Sequence, residues 1–288
     1  MILNKRILYI GPRFFGYESE IIQTLKALGA DVDFFDDRPG NDFWTKLFIR
    51  LRLKLLVNRK INKHYYKLYD KIREQTYDFV FVIAPETLNY AKLSQIRELH
   101  PNARFILYMW DSFQNKNSLN TISLFDRVLT FDSNDALNYQ IEFLPLFYVQ
   151  KYEEITCKSN PSYALCFVGT AHSDRYKVTK EIEKKLCKFN LRMNIFFYLP
   201  NRIIYWFRKV FVRSYKYGNI DDFSFRSLSQ EDVISLFQDS TAVLDINHPL
   251  QFGLTSRSIE ALGAKRKLIT TNANIKNYDF YNKNNILI

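Results

Sequence analysis

The sequence predicts an α/β protein built of two parallel-sheet domains. Three observations predict it. Short apolar runs alternate with segments of helical spacing from the first residues onward. The alternation lapses at a polar, aperiodic stretch over 150–162 and then restarts. The apolar runs repeatedly end in glycine or a polar residue, as strands feeding loops do. The length of 288 residues suits two domains, placed at 1–150 and 151–288. A 47% hydrophobic fraction supplies two cores, and 25% charged residues of mixed sign exclude a disordered chain.

The first strand is read over 6–11, ending at Gly11. Ile21, Ile22, Leu25 and Leu28 place a helix over 18–29 that Gly29 closes, and 32–35 follows as a strand. This βαβ opening implies a parallel sheet. Strands at 77–83, 104–109 and 126–130 follow, with helices at 89–99 and about 134–141 and an extended stretch at 143–148. In the second half the strands are 163–169, 193–199, 241–246 and 267–271. The helices are 177–189, 229–238 and 255–262, the middle one opening on Ser229 with Glu231 and Asp232 in its first turn. Two such modules in tandem predict a cleft, and in open parallel sheets ligands sit at the carboxyl ends of the strands.

The net charge of +11 points to an anionic partner. Three cysteines (Cys157, Cys166, Cys187) without a CxxC pair fit a reducing compartment, and the four histidines lack zinc-ligand spacing. The opening MILNKRILYIG carries no signal-peptide pattern, and no apolar run reaches the ~18 residues of a membrane-spanning helix.

The residues after the strands carry the chemistry. The loop from Gly11 to Tyr17 is not GxGxxG, its glycines being five apart, so a dinucleotide turn, a plain tight turn and an acceptor-facing loop with Arg13, Phe14, Gly16 and Tyr17 all stay open. After 163–169 come Gly169, Thr170, His172 and Arg175; the glycine admits close backbone approach, and the histidine and arginine suit phosphate oxygens. The densest stretch is NHPLQFGLTSRSIEALG over 247–263. A strand runs into Asn247, a loop with Phe252 and Gly253 follows, and Thr255 and Ser256 open a helix whose N-terminus is an anion site. Arg257 adds a cation, and Glu260 lies one turn on along the same side, where it can accept from ribose hydroxyls or simply pair with Arg257.

Here the chain resembles a known group. GLTSRSIEALGAKRKLITTN resembles the donor segment of GT-B glycosyltransferases, and more narrowly of the CgeB-like and lipopolysaccharide or capsule biosynthesis enzymes. CFVGTAHSDR resembles their phosphate loop, and SLSQEDVISLFQDSTAVLDIN the helix and strand before the donor segment. The resemblance covers most of 163–275. It implies two Rossmann-like domains facing across a cleft, acceptor-binding first and donor-binding second. It implies a nucleotide-sugar donor in the second, with Gly169, Thr170, Arg175, Gly253, Thr255, Ser256 and Arg257 at the phosphates and Glu260 at the ribose or sugar. No cofactor beyond that co-substrate and no metal is implied, and the acceptor is a glycan or lipid-linked glycan. Such chains usually continue with helices that cross back onto the first domain; this one stops at NNILI, a departure that leaves truncation open.

The only D-x-D, Asp31-Val32-Asp33, lies on the second predicted strand and reads as structural. An inverting transferase needs a general base for the acceptor hydroxyl; Asp111, after the strand at 104–109, and Glu86, after 77–83, are the candidates. Two basic aromatic stretches remain. Residues 43–73 carry ten Lys or Arg and one Asp, with one apolar stripe through Trp44, Leu47, Phe48, Leu51 and Leu55. Residues 202–216 carry five basic residues and no acid. Both fit either solvated helices with a wide buried face or interfacial helices at an anionic membrane, and the latter predicts a cytoplasmic protein peripheral at its inner face. Other classes are a non-catalytic glycan- or membrane-binding shell and a nucleic-acid binder, the last without any accompanying motif.

Overall fold

A computed structural model of the chain describes residues 2–40, 45, 57–116, 118–156, 158–172, 174–212, 215, 218–248 and 251–288. Within 43–73, residues 43, 44 and 46–56 lie outside that set, and so does the stripe read there from Trp44 to Leu55. The chain divides into two compact units, Met1–Pro145 and Leu146–Ile288.

Unit 1 runs β1 (Arg6–Gly11), α1 (Tyr17–Ala27), β2 (Asp31–Asp36), α2 (Asn58–Ile72), β3 (Phe79–Ile83), α3 (Tyr90–Leu99), β4 (Arg104–Met109), β5 (Arg127–Thr130), α4 (Ser133–Tyr139) and β6 (Glu142–Phe143). Its sheet has the order β2-β1-β3-β4-β5-β6, and its strand pairs are parallel. The central strands read as continuous apolar runs because helices cover both faces: Val80, Val82, Phe105 and Leu107 are fully buried. Gly16, at φ 85°, caps α1 in a left-handed conformation that costs glycine little. The D-x-D sits at the start of β2, where Asp33 bonds Arg6, Lys71 and Tyr77, a structural role.

Unit 2 runs α5 (Gln150–Glu153), β7 (Tyr163–Thr170), α6 (Arg175–Cys187), β8 (Met193–Tyr198), α7 (Arg202–Phe211), β9 (Phe223–Ser224), α8 (Gln230–Gln238), β10 (Ser240–Asp245), α9 (Ser256–Gly263), β11 (Lys267–Thr270) and β12 (Ile286–Leu287). The sheet order is β12-β11-β10-β7-β8-β9, again with parallel pairs. The Ser229 signal is a true capping box: Asp232 N–H donates to Ser229 Oγ at 3.1 Å, and Ser229 N–H donates to Asp232 Oδ2 at 2.9 Å.

The α/β architecture of two Rossmann-like units is thus the one the sequence predicts. Two local readings differ. The aperiodic stretch 150–162 begins with helix α5, whose Tyr152 is 2% exposed; four residues are too few to display a helical period. Of the extended stretch 143–148 only Phe143 pairs into the sheet, in β6. The segment beyond it is tied instead by Tyr108, whose hydroxyl donates to Pro145 O at 2.7 Å.

Candidate functional site

In unit 2 the central neighbours β7 and β10 end side by side, and one side chain joins the two ends. Arg175, at the start of α6, donates from Nε to Ile246 O at 2.7 Å and from Nη1 to Thr170 O at 3.4 Å. Gly169 leaves the room: a Cβ there would lie 3.3 Å from Arg175 Nη1 and 3.0 Å from the Phe167 ring. Burial pulls the Arg175 pKa below its ordinary value. The structure therefore places Arg175 as a clamp on two loop carbonyls, with Gly169 and Thr170 beneath it.

The helix start that sequence reading singled out is held from below. Asp245, the last residue of β10, is 2% exposed. Its Oδ2 accepts from Thr255 Oγ1 at 2.8 Å and Ser258 Oγ at 2.6 Å. Thr255 in turn caps α9, its Oγ1 accepting from Ser258 N–H at 3.3 Å. A helix leaves its first N–H groups outside its own ladder and carries a partial positive charge there. The buried carboxylate fixes that end of α9, Ser256 included, at the carboxyl edge of the sheet.

The loop between β10 and α9 is tied at two points. Asn247 donates from its backbone N–H to Thr271 Oγ1 at 3.1 Å, and its Oδ1 accepts from the same hydroxyl at 2.6 Å. Asn272 Nδ2 donates to Phe252 O and Gly253 O, each at 3.1 Å. Asn247 therefore organises the loop, and the Phe252 ring is left exposed. Across from it His172 faces His248, ring centroids 5.7 Å apart. Burial, then Arg175, His248 and Arg208, pull the His172 pKa down to about 3, so at neutral pH it meets any ligand as an uncharged ring.

Arg257 and Glu260 form a close ion pair, Nη1 to Oε2 at 2.6 Å, with side chains 21% and 6% exposed. The guanidinium also lies over the Phe237 ring at 5.5 Å. Tyr152 sits beside the pair; burial and then Glu260 raise its pKa. Gly263 matters here for space, since a Cβ would fall 2.4 Å from Tyr148 Cγ. The predicted one-turn spacing holds, and Glu260 is more deeply buried than a solvated surface pair would be.

In unit 1 the loop after β1 meets the end of β4. Phe14 and Tyr17 lie against Trp110 at 6.3 and 6.0 Å between ring centroids. Phe14 is 38% exposed, and Arg13 approaches Asp36 at 3.6 Å. Beside Trp110, Asp111 Oδ1 accepts from Ser112 N–H at 3.1 Å and Asn115 Nδ2 at 3.0 Å. Glu86 is engaged by Lys116 Nζ at 3.3 Å and Arg38 Nε at 3.8 Å.

Sequence reasoning notes Asp36 and Asp37 only as acids after the second strand that would suit a dinucleotide turn, and it passes over Asp135, Thr271 and Asn272 as organising residues. Asp37 is fully buried and its carboxylate accepts from Tyr65 Oη at 2.6 Å, Thr87 N–H at 2.8 Å and Leu88 N–H at 2.9 Å, fixing the loop that carries Glu86. Asp135 is 3% exposed and accepts from Phe113 N–H at 2.8 Å. Burial, then Asp132 and Asp111, raise its pKa. Thr271 and Asn272 follow β11; their position after a strand was the one available signal. Among the described residues no three His, Cys, Asp or Glu side chains converge as metal ligands, and no helix is long and apolar enough to cross a membrane.

No family model matches the sequence, and no curated protein matches it either. Solved structures do. Anabaena HepE, in complex with UDP-glucose, is similar at a TM-score of 0.61 and 12% identity, over 99% of this chain and 85% of that one. The UDP-GlcNAc 2-epimerase of Methanocaldococcus jannaschii, in complex with UDP-GlcNAc and UDP, is similar at 0.56 and 13%, over 99% and 88%. The N-terminal domain of Candida albicans trehalose-6-phosphate phosphatase is similar at 0.52 and 12%, over 94% and 83%. At these identities the likeness is one of fold: two Rossmann-like units of the GT-B type.

Proposed function

We propose that this chain is a glycosyltransferase. Unit 2 binds a nucleotide-sugar donor and unit 1 a glycan or lipid-linked glycan acceptor, in the synthesis of a bacterial surface polysaccharide such as lipopolysaccharide or capsule. One observation carries the reading: a buried carboxylate, Asp245, fixes the N-terminus of α9 at the carboxyl edge of a parallel sheet, with Arg257 in its first turn. That is a site for a diphosphate. The complexes of HepE with UDP-glucose and of the epimerase with UDP-GlcNAc and UDP, on the same fold, support a nucleotide-sugar ligand.

In the proposed reaction an acceptor hydroxyl attacks the anomeric carbon of the donor. The bond from that carbon to the phosphate oxygen breaks, and a nucleoside diphosphate leaves. The helix end and Arg257 stabilise the negative charge that builds on the leaving group, so the reaction proceeds without a metal. Neutral His172 can donate a hydrogen bond there without adding charge. Asp111 takes the hydroxyl proton. Its Oδ1 is held by Ser112 and Asn115, which leaves Oδ2 as the oxygen to accept the proton, whereas Glu86 is spent on two cations. Beside it the exposed Phe14 and half-buried Trp110 offer apolar faces to a sugar ring, with buried Tyr17 packed behind them. A lipid-linked acceptor and the basic stretches 43–73 and 202–216 would bring the enzyme to the inner face of the cell membrane.

The test is a thermal-shift series with UDP, GDP, CMP, ADP, dTDP and their sugar conjugates, since a ligand of the native state raises its melting temperature. A shift with one nucleotide family supports the reading and names the donor class. No shift with any of them, on folded protein, refutes it in favour of a non-catalytic shell.

A further inference from the structure

Helix α7 turns the wrong face to water. Ile203, Trp206, Phe207, Val210 and Phe211 are 67%, 56%, 61%, 72% and 70% exposed. Their spacing, i, i+3, i+4, i+7 and i+8, makes one continuous stripe. The helix is seated by its opposite side. Tyr205 is 1% exposed, packs on Phe223 at 5.5 Å and donates its hydroxyl to Gly218 O at 2.9 Å. Asn201 caps the helix through Ile204 N–H at 2.9 Å, and Arg208 Nη1 donates to Tyr215 Oη at 2.9 Å. The fold therefore already holds α7 firmly and uses none of the apolar stripe to do so.

Three cations flank the stripe. At 100° per residue Arg202 and Lys209 fall along one border and Arg208 along the other, and no acid occurs on the helix. Arg202 is exposed, whereas Arg208 and Lys209 are half-buried and also donate to the protein, Lys209 Nζ to Tyr205 Oη at 3.0 Å and Gly218 O at 3.1 Å. We propose that α7 lies in the interface of an anionic bilayer, its apolar stripe inserted between headgroups and upper acyl chains, with exposed Arg202 level with the lipid phosphates and the half-buried Arg208 and Lys209 adding their charge at the rim. Charge complementarity selects this occupant. The chain carries +11, and a second copy laid on the stripe would bring two sets of the same cations together. A ten-residue helix is also only ~15 Å long, and its stripe is small beside the ~800 Å² per partner of a stable protein interface. A bilayer needs no such area: aromatic and aliphatic side chains beside Lys and Arg are what an interfacial helix presents. The inference deepens the membrane-surface part of the proposed function and does not depend on the donor.

The experiment uses the full chain with phosphatidylcholine vesicles, with and without phosphatidylglycerol. Wild type should float with the anionic vesicles at least tenfold better than with neutral ones. Brominated acyl chains should quench wild-type fluorescence more than that of the Trp206→Phe variant, and the difference reports Trp206 apart from Trp44 and Trp110. The triple variant Ile203→Ser, Phe207→Ser, Phe211→Ser should lose vesicle binding at least tenfold with its melting temperature unchanged. Equal binding by the triple variant, or no quenching by bromine, overturns the proposal. So does a concentration-dependent dimer of wild type, abolished in the triple variant, with no vesicle binding. Nucleotide thermal shifts on the same samples read the donor site separately: vesicle binding without a shift leaves the anchor standing and removes the transferase, and the converse removes only the anchor.

Discussion

Removing Glu260 should cost far more than a surface ion pair is worth. Its carboxylate meets Arg257 at 2.6 Å with only 6% of its side chain exposed. Glu260→Ala leaves the guanidinium without its closest anion. Deleting one partner of a buried pair costs about 3–5 kcal/mol. Arg257 keeps 21% exposure, so water recovers part of that, and about 2–3 kcal/mol is the expected loss. For a unit the size of Leu146–Ile288 this lowers the melting temperature by roughly 5–10 °C. Glu260→Gln keeps an acceptor for Arg257 and should lose about half as much. The double variant Arg257→Met, Glu260→Leu removes both charges from the site and should recover most of the stability, giving a coupling energy of at least about 1.5 kcal/mol. Calorimetry with and without the nucleotide found by screening gives both readouts. If Glu260→Ala melts within a degree of wild type, or the double variant loses the sum of the singles, the pair is not the buried unit argued here. If Glu260→Gln leaves the nucleotide shift untouched, Glu260 acts by holding Arg257 and not by touching the ligand.

Other expectations follow from the same geometry. Asp245→Ala strands two hydroxyls, and Ser258→Ala removes one of them; the double variant should cost about 1 kcal/mol less than the sum in urea titrations, and strict additivity would disprove the shared anchor. His172 takes its proton near pH 6.5 in the unfolded chain and near 3 in the folded one, so the unfolded state binds more protons between those values and stability falls as pH drops through that window. His172→Asn should remove this slope, and a wild-type minus variant difference that stays constant from pH 7 to 4 would contradict it. Asp37→Ala should lower stability by about 3–5 kcal/mol, because its buried donors lose a charged acceptor; a near-neutral result in chemical denaturation would count against the bracket described for that loop. Asp111→Asn should slow transfer at least a hundredfold and spare nucleotide binding, and full activity would remove it as the base.

The sheet strands were legible because parallel strands covered on both faces are apolar throughout, and helix starts because capping has a local grammar: Ser229 with Asp232, and Thr255 before Ser256, are both readable within four residues. The short helix α5 was not, since one turn has no period. The candidate site could be singled out in the sequence as a place, but not as an arrangement. Residues after β7 and β10 were found because ligands gather at strand ends, and Arg257 with Glu260 because helical spacing is arithmetic. That Arg175 turns to two backbone carbonyls was hidden, because a partner 71 positions away leaves no trace in local pattern. Asp245 was passed over for the same reason: it ends an apolar strand, and only the folded chain shows what its carboxylate holds.

The joint made by Arg175 also bears on the order in which the molecule comes together. β7 and β10 are neighbours in the sheet, yet α6, β8, α7, β9 and α8 all intervene along the chain. Contacts of such separation close late, after the intervening loop has given up its freedom. Thr170 and Ile246 therefore become a single rim only once β7 and β10 have paired across that separation. A chain released half-folded has no such rim, and a ligand that bound only the closed rim would favour the completed sheet. Any ligand of that rim would therefore select finished copies of the chain over unfinished ones.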